Sequence, residues 1–343
     1  MAGSLAGIVY SACTRRTESR VIRVSAHPHF SMSSLYLAKE LGYFAEQGMS
    51  IEIENIPSAI RTIPPAAGGK LDVVFSSSST SLVNAIAKGA RLRIVAGREI
   101  TAPDCSDNCV LFGRQEVFPN GLDDVRLLRG KRVAADMSTS NGNFGVDTIL
   151  ASAGMTVEDL GILRMRKSEL VVSLLSKTID AIFISDFGLR FVDMKDQIVK
   201  GIRLADILPN YQYSFIIFGA RLLDGDPDTG IRFLSAYLRG VREYRKGKTP
   251  AFLVELARSN GMDPVVARKK CRNGSVADGR IDLPSLDRFV QWAVAKKLCP
   301  IPIRAKQLVD TRFLDGLALN NNSDASTDHK IEPGGKLQEI YGR

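Results

Sequence analysis

The sequence predicts an α/β protein built on mostly parallel sheets, and three observations carry that expectation. Short apolar runs rich in valine and isoleucine alternate with amphipathic ones from residue 20 to about residue 225. Some runs, such as "LDVVFS", are apolar without a break, as in strands covered on both faces. The alternation comes in two blocks of similar register, and the pattern turns helical from Asp226 onward.

The elements follow in order. "RVIRVSA" alternates and is valine-rich, so it reads as a strand, with "HPHFSMS" as the loop after it. Ser33 or Ser34 caps "SLYLAKELGYFAEQG", where Leu35, Leu37, Ala38, Leu41 and Phe44 give a helical face that Gly48 stops. "MSIEIENI" is a second strand. The helix expected over Ala59 to Ala67 is shortened or bent by Pro64 and Pro65. "LDVVFS" is the third strand, "TSLVNAIAKG" a helix closed by Gly89, and "RLRIVAG" the fourth strand. The second block repeats the pattern. "NCVLFGR" is a strand, "GLDDVRLLRGKRVAAD" a short helix and strand, and "STSNGNFGVDTILASAGM" a loop and helix. "GILRMR", "SELVVSLLSK" and "IDAIFISD" then give strand, helix and strand, and "SFIIFGARLL" a further strand. Helices follow, and beyond about Asn320 the chain is polar, Gly-rich and expected to be disordered.

Composition narrows the function classes. Of 343 residues, 45% are hydrophobic and 24% charged, which is ordinary for a globular chain of about two domains. Lys and Arg number 46 against 37 Asp and Glu, a net charge of +9. The basic residues are scattered, as in "GILRMRKSEL" and "VARKKCR", without interleaved aromatics, which argues against a nucleic-acid partner. No stretch approaches the roughly 20 apolar residues of a membrane span. At the N-terminus, "MAGSLAGIVYSAC" is uncharged and small-to-apolar up to Cys13, with Ser11 and Ala12 just before it. It resembles the end of a lipoprotein signal, so Cys13 is the expected lipidation site. No basic residue precedes the run, as with a start assigned too late; a disordered tail, leaving the protein in the cytoplasm, is the alternative.

Four cysteines remain, enough for two pairs. Cys105 and Cys109 lie in "CSDNC", a tight polar loop able to close on itself, and Cys271 and Cys299 flank a predicted helix pair. The expected disulfides are Cys105 with Cys109 and Cys271 with Cys299, with unpaired buried cysteines as the alternative. Neither "CSDNC" nor "HPH" has a second half of a ligand set, so no metal is expected. There is no dinucleotide fingerprint, phosphate-binding loop or G-x-S-x-G elbow, and "NGNFG" has the wrong spacing for the first two. Asp123 and Asp124 read as first-turn helix charges. No catalytic residue and no cofactor is expected.

In open parallel sheets, ligands sit beyond the carboxyl ends of the strands. Three polar loops occupy such places, each running into a helix: "HPHFSMSS", "SSSSTS" and "DMSTSNGN". A helix N-terminus offers unpaired N–H groups and positive potential, and hydroxyls add donors without bulk. One serine per loop serves as a helix cap. The excess over one is what points to a polar or anionic ligand.

From "LYLAKELGYFAEQGMSIEI" onward the sequence resembles the NMT1/THI5-like solute-binding proteins of ABC importers for aliphatic sulfonates, taurine, nitrate and thiamine-pyrimidine precursors. "AAGGKLDVVFSS", "NAIAKGARLRIVAG", "LRGKRVAADMSTSN", "LSKTIDAIFISD" and "FLDGLAL" extend the likeness to roughly residues 20–318. The resemblance implies a two-lobed type II periplasmic-binding-protein fold with the ligand in a cleft between lobes. It implies a first lobe of 20–110 plus 219–319, a second lobe of 115–213, and flanking segments 1–19 and 320–343. Crossovers are expected near Val110–Arg114 and Tyr213–Phe218. The ligand residues carried over by position are Phe30, Ser31, Ser33 and Ser34; Ser76, Ser77, Ser78, Ser79 and Thr80; Ser138, Thr139, Ser140 and Asn141; and Asp186. Arg61 joins them, because the prolines disturb the second helix. The implied role is capture of a small sulfonate, taurine, nitrate or pyrimidine-like molecule, outside the cytoplasmic membrane, by a monomer that serves permease and ATPase subunits. Its only membrane contact would be the lipid anchor. The same fold also serves enzymes of thiamine-pyrimidine and menaquinone precursor biosynthesis; the cysteine-rich motif of the thiamine-pyrimidine synthase is absent here.

Overall fold

The first block folds as β1 (Arg20–Ala26), α1 (Ser33–Glu40), α2 (Tyr43–Glu46), β2 (Met49–Asn55), α3 (Ile63–Ala67), β3 (Val73–Ser77), α4 (Thr80–Ala87) and β4 (Leu92–Ile100). The second follows as β5 (Val110–Arg114), β6 (Val133–Ala135), α5 (Ser140–Ala151), α6 (Val157–Leu160), β7 (Leu163–Arg164), α7 (Lys167–Leu175), β8 (Ala181–Ile184), β9 (Ile198–Arg203) and α8 (Leu204–Ile207). Strand β10 (Gln212–Gly219) precedes α9 (Pro227–Arg245), α10 (Ala251–Ser259), α11 (Pro264–Arg268), α12 (Leu283–Ala295), α13 (Ala305–Leu308) and α14 (Arg312–Thr327). This computed structural model describes residues 20–26, 29–56, 59–105, 108–137, 139–184, 196–259, 263–268 and 271–327.

The strands form two mixed five-stranded sheets, ordered β2-β1-β3-β10-β4 and β7-β6-β8-β5-β9. The two orders are equivalent. In the first, β1 runs parallel to β2 and β3, and β10 lies antiparallel between β3 and β4. In the second, β6 runs parallel to β7 and β8, and β5 lies antiparallel between β8 and β9. Each sheet is thus completed by one strand of opposite direction that the chain lays down next to a passage between sheets. The segments expected as crossovers, Val110–Arg114 and Tyr213–Phe218, fall within β5 and β10. The chain changes sheets just before each of them, over 101–109 and 208–211. The sequence pattern did not reveal β9, because Gly201 and Lys200 interrupt its apolar run. Gly201 is required there, since a Cβ would lie 2.5 Å from the Leu122 carbonyl oxygen. "ARLL" leaves the expected strand as a helical turn over Arg221–Gly225, and α14 continues past Asn320 to Thr327.

Both faces of the first sheet are covered, as the unbroken apolar strands predict. Ile22, Val24, Val73 and Phe75 pack beneath α1 and α9, where Phe233, Tyr237 and Val241 recur at helical spacing. Val74, Ile94, Phe215 and Ile217 face the other way, into a core shared with α4, α5 and α12. Gly240 lets α9 approach α1, because a Cβ there would meet Ala38 Cβ and the Ser34 carbonyl oxygen, both at 2.6 Å.

The disulfide pairing differs from both expected pairs. Cys105 is joined to Cys271, while Cys109 and Cys299 are free and buried. The reason lies in the return of the chain after α11. The Ile100 amide donates to the Gly274 carbonyl (2.8 Å), Ser275 bridges to Glu99, and Asn273 Nδ2 donates to Asp104 (2.7 Å). This edge pairing sets Cys271 against Cys105, with their Cα atoms 5.0 Å apart. Cys109 instead enters the core behind β5, against Gly145 of α5. The bond closes a loop of 166 residues that contains the whole second sheet. Non-reducing peptide mapping is expected to recover a Cys105–Cys271 link, and Cys105→Ser to lower stability by about 2–4 kcal/mol. A Cys105–Cys109 link would contradict this.

Candidate functional site

Two of the three polar loops meet. The loop after β3 and the loop after β6 leave the carboxyl ends of their sheets and run into α4 and α5. The first turns of those helices are in contact: the Thr80 amide donates to Ser140 Oγ (3.2 Å), and the Thr80 and Ser140 hydroxyls are 2.9 Å apart. Each helix keeps its own cap. Ser79 Oγ accepts from the Leu82 amide (3.2 Å), and Thr139 Oγ1 accepts from the Gly142 amide (3.0 Å). Capping therefore uses one hydroxyl per helix, and Thr80 and Ser140 face each other across the junction.

A single face of α5 makes this approach. Ser140, Phe144 and Asp147 lie at i, i+4 and i+7. Phe144 stacks on Tyr211 of the second crossover at 5.0 Å and meets the edges of Phe289 and Trp292 of α12 at 5.9 and 5.6 Å. Asp147 accepts from Trp292 Nε1 and pairs with Lys296, both at 2.9 Å. Two polar atoms close to this junction are buried with no hydrogen-bond partner among the described residues, Asn141 Oδ1 and Asn143 Oδ1 in the first turns of α5, and the buried Tyr211 hydroxyl lies beside Ser78. Burial holds the Tyr211 phenol well above its ordinary pKa, so it is a neutral donor. A buried polar group without a partner costs about 1–3 kcal/mol, a cost that a ligand supplying the partner removes.

Of the other serines of the second loop, Ser76 and Ser78 donate to backbone carbonyls. Ser76 Oγ donates to the Ser77 carbonyl (2.9 Å), and the Ser76 carbonyl accepts from Ser214 Oγ (3.3 Å). Ser77 pairs with Ser214 in the ladder, and the Ser78 amide and hydroxyl both donate to the Tyr213 carbonyl at 2.8 and 3.3 Å. In the first loop, Ser31 is bound to the His29 ring (2.9 Å), and Ser33 Oγ donates to the Phe30 carbonyl (2.7 Å). Phe30 is buried among Leu37, Tyr244, Leu253 and Ala257, so its ring is part of the core. Ser34 is buried where α1 meets Gly240. Arg61 is exposed in the turn over Ala59–Thr62. Ser138, Asp186 and Cys13 lie outside the described residues.

Two further groups stand close to these loops with little local sequence signal to mark them. One is Tyr211, which sits between apolar runs as an ordinary connector. The other is Arg98, near the carboxyl end of β4 and 4% exposed. Its Nη2 donates to Glu99 (3.0 Å), its Nη1 lies 3.5 Å from Met32 Sδ, and its guanidinium lies 5.5 Å from the centre of the Phe75 ring. Burial alone would lower its pKa, but the Glu99 carboxylate, with Tyr237 and Tyr213 nearby, more than offsets this and keeps Arg98 charged. Arg98 thus links the first loop, through Met32, to the strand that delivers the second. The available signal was the charged pair "RE" between an apolar run and Ile100. Among the described residues, no group of three or more His, Cys, Asp or Glu side chains is placed to hold a metal, and no helix is long and apolar enough to cross a membrane.

The alkanesulfonate-binding protein SsuA of Xanthomonas axonopodis pv. citri, solved bound to MOPS, superposes with a TM-score of 0.64 at 16% identity, covering 86% of this chain and 99% of that one. A putative sulfonate ABC transporter periplasmic sulfonate-binding protein SsuA from Methylobacillus flagellatus KT gives 0.68 at 15% identity, covering 94% and 99%. The desulfurization enzyme DSZB gives 0.64 at 12% identity, covering 88% and 99%. These likenesses show the two-lobed periplasmic-binding-protein fold. No curated protein sequence matches the chain. The family model described as NMT1/THI5 like matches residues 29–247, more than half of the sequence, and the chain belongs to that family.

Proposed function

We propose that this protein is the solute-binding component of an ABC importer, capturing a small anionic or polar organic molecule between its two lobes. The observation that carries this reading is the contact of the α4 and α5 amino ends through Thr80 and Ser140. Each end carries a partial positive charge of roughly half a unit, so two ends brought together favour an anion between them. Hydroxyls and the neutral Tyr211 phenol add donors suited to sulfonate, nitrate or carboxylate oxygens, and the Asn141 and Asn143 amides add polar groups for a zwitterion or a pyrimidine. The relatives described as sulfonate-binding are consistent with that chemistry. Permease and ATPase subunits are the partners this role requires. Placement outside the cytoplasmic membrane, through a lipid on Cys13, is part of the same proposal, and the Cys105–Cys271 bond suits an oxidising compartment.

The DSZB likeness shows that the fold also serves catalysis. In this chain the free thiols are poorly placed for it. Cys109 is buried, and desolvation pushes its thiol up to about 12; burial raises Cys299 as well. Binding is therefore the favoured reading.

Mass spectrometry of the molecule that co-purifies with the protein, followed by thermal-shift screening with MOPS, taurine, nitrate and pyrimidines, tests it. A saturable binder is expected, with a smaller radius of gyration by small-angle scattering when it is bound, because closure adds contacts that exist only in the closed form. Turnover of the bound molecule would contradict the reading. Alanine substitutions from Ser76 to Thr80 are expected to divide by role. Ser79→Ala loses the cap and about 0.5–2 kcal/mol of stability. Thr80→Ala leaves melting almost unchanged and weakens binding by about 0.5–1.5 kcal/mol, or up to about 3 for a charged ligand. Identical binding by every variant would reduce the serines to a structural loop.

A further inference from the structure

A second concavity lies beside the crossover into β10. It is a groove of 830 Å³, within the range of small-molecule sites. Its buried polar residues are Tyr211, Gln212, Ser275 and Ser285. Gln212 is held on both sides of its amide, with Nε2 donating to the Arg280 carbonyl (2.9 Å) and Oε1 accepting from the Asp282 amide (2.8 Å). The Gln212 amide donates to Ser285 Oγ (2.9 Å). Gly97 leaves room for this side chain, since a Cβ there would lie 2.1 Å from Gln212 Nε2. The floor is therefore preformed.

Three arginines line the groove: Arg245 at the end of α9, Arg280, and Arg288 in α12. The two acids that also line it are already engaged. Asp282 caps α12, accepting from the Ser285 amide (3.0 Å) and hydroxyl. Asp278 pairs with Arg280 at 3.8 Å. Arg245 and Arg288 make no hydrogen bond or ion pair with any described residue, although both border one cavity. Two unpaired guanidinium forks above a fixed polar floor match a ligand with several oxyanion oxygens, which each fork can bind in pairs.

From this geometry we infer a second binding site, separate from the lobe junction, that takes a small polyvalent oxyanion such as a polyphosphate or polycarboxylate. Of the junction residues described above, Tyr211 alone also lines this groove. The site does not depend on the importer reading: Arg245 and Arg280 take no part in the junction, and Arg288 reaches it only through its charge on Tyr211.

The test is thermal melting of the full chain with pyrophosphate and, separately, citrate, with chloride balancing the ionic strength. A saturable rise in melting temperature with either anion is expected. The double variant Arg245→Gln/Arg288→Gln should weaken the apparent affinity at least about tenfold, two charge-assisted contacts having been removed. Thr80→Ala should leave the rise unchanged. If the glutamine variant does not fold, Arg245→Lys/Arg288→Lys carries the same test, keeping the charge but losing the fork. A rise that chloride reproduces, that survives loss of both forks, or that disappears in Thr80→Ala overturns the proposal, as does no rise with either anion.

Discussion

The amino ends of α4 and α5 meet through the Thr80 amide and hydroxyl and the Ser140 hydroxyl, and this contact has a built-in electrostatic tension. Both helices present their positive ends to the same place. Two partial charges of like sign approaching within a few ångströms repel unless something negative or strongly dipolar lies between them. Hydroxyl groups meet part of that need, since each accepts as well as donates. An anion meets it more fully. The same arrangement that favours an anion makes the contact without one less favourable.

The scaffold holds this contact in register from both sides. The loop after β3 leaves the central strand of the first sheet, and the loop after β6 leaves the second strand of the other, the counterpart of β1. Phe144 and Asp147 carry α5 onto Tyr211 and α12, so Ser140 arrives at Thr80 as part of a packed face. The Cys105–Cys271 bond ties the first crossover to the segment that edges β4, and the second crossover is fixed through Gln212. The two passages between sheets are therefore anchored to the C-terminal part of the chain, and relative movement of the sheets has to be absorbed within a few residues of each.

Much of this was legible in the sequence, for identifiable reasons. Unbroken apolar runs such as "LDVVF" report strands buried on both faces, and the surplus of hydroxyls in "SSSSTS" and "STSN" marked the two loops that meet. What stayed hidden depends on long-range pairing. Nothing local to Cys105 or Cys271 says that the chain returns to the edge of β4, so the spacing in "CSDNC" pointed to the wrong partner. Arg98 reads as the charged end of a strand until Met32 and Phe75 are seen against it. Ser76 and Ser78 look equivalent to Thr80 in sequence, but the Ser76 hydroxyl turns back to the Ser77 carbonyl and the antiparallel approach of β10 brings the Tyr213 carbonyl to Ser78. The strands β5 and β10 are ordinary apolar runs, and only the sheet order shows that each enters its sheet backwards.

A double-mutant cycle on Thr80 and Ser140, read as affinity for the tightest-binding solute, tests the central claim most directly. If both hydroxyls bind one ligand between the two helix ends, each alanine variant weakens binding. The double variant then departs from the sum of the singles by at least about 0.5 kcal/mol, as expected for residues in direct contact. Affinity unchanged in both single variants and in the double would contradict the account, because the junction would then be a packing contact with no part in capture.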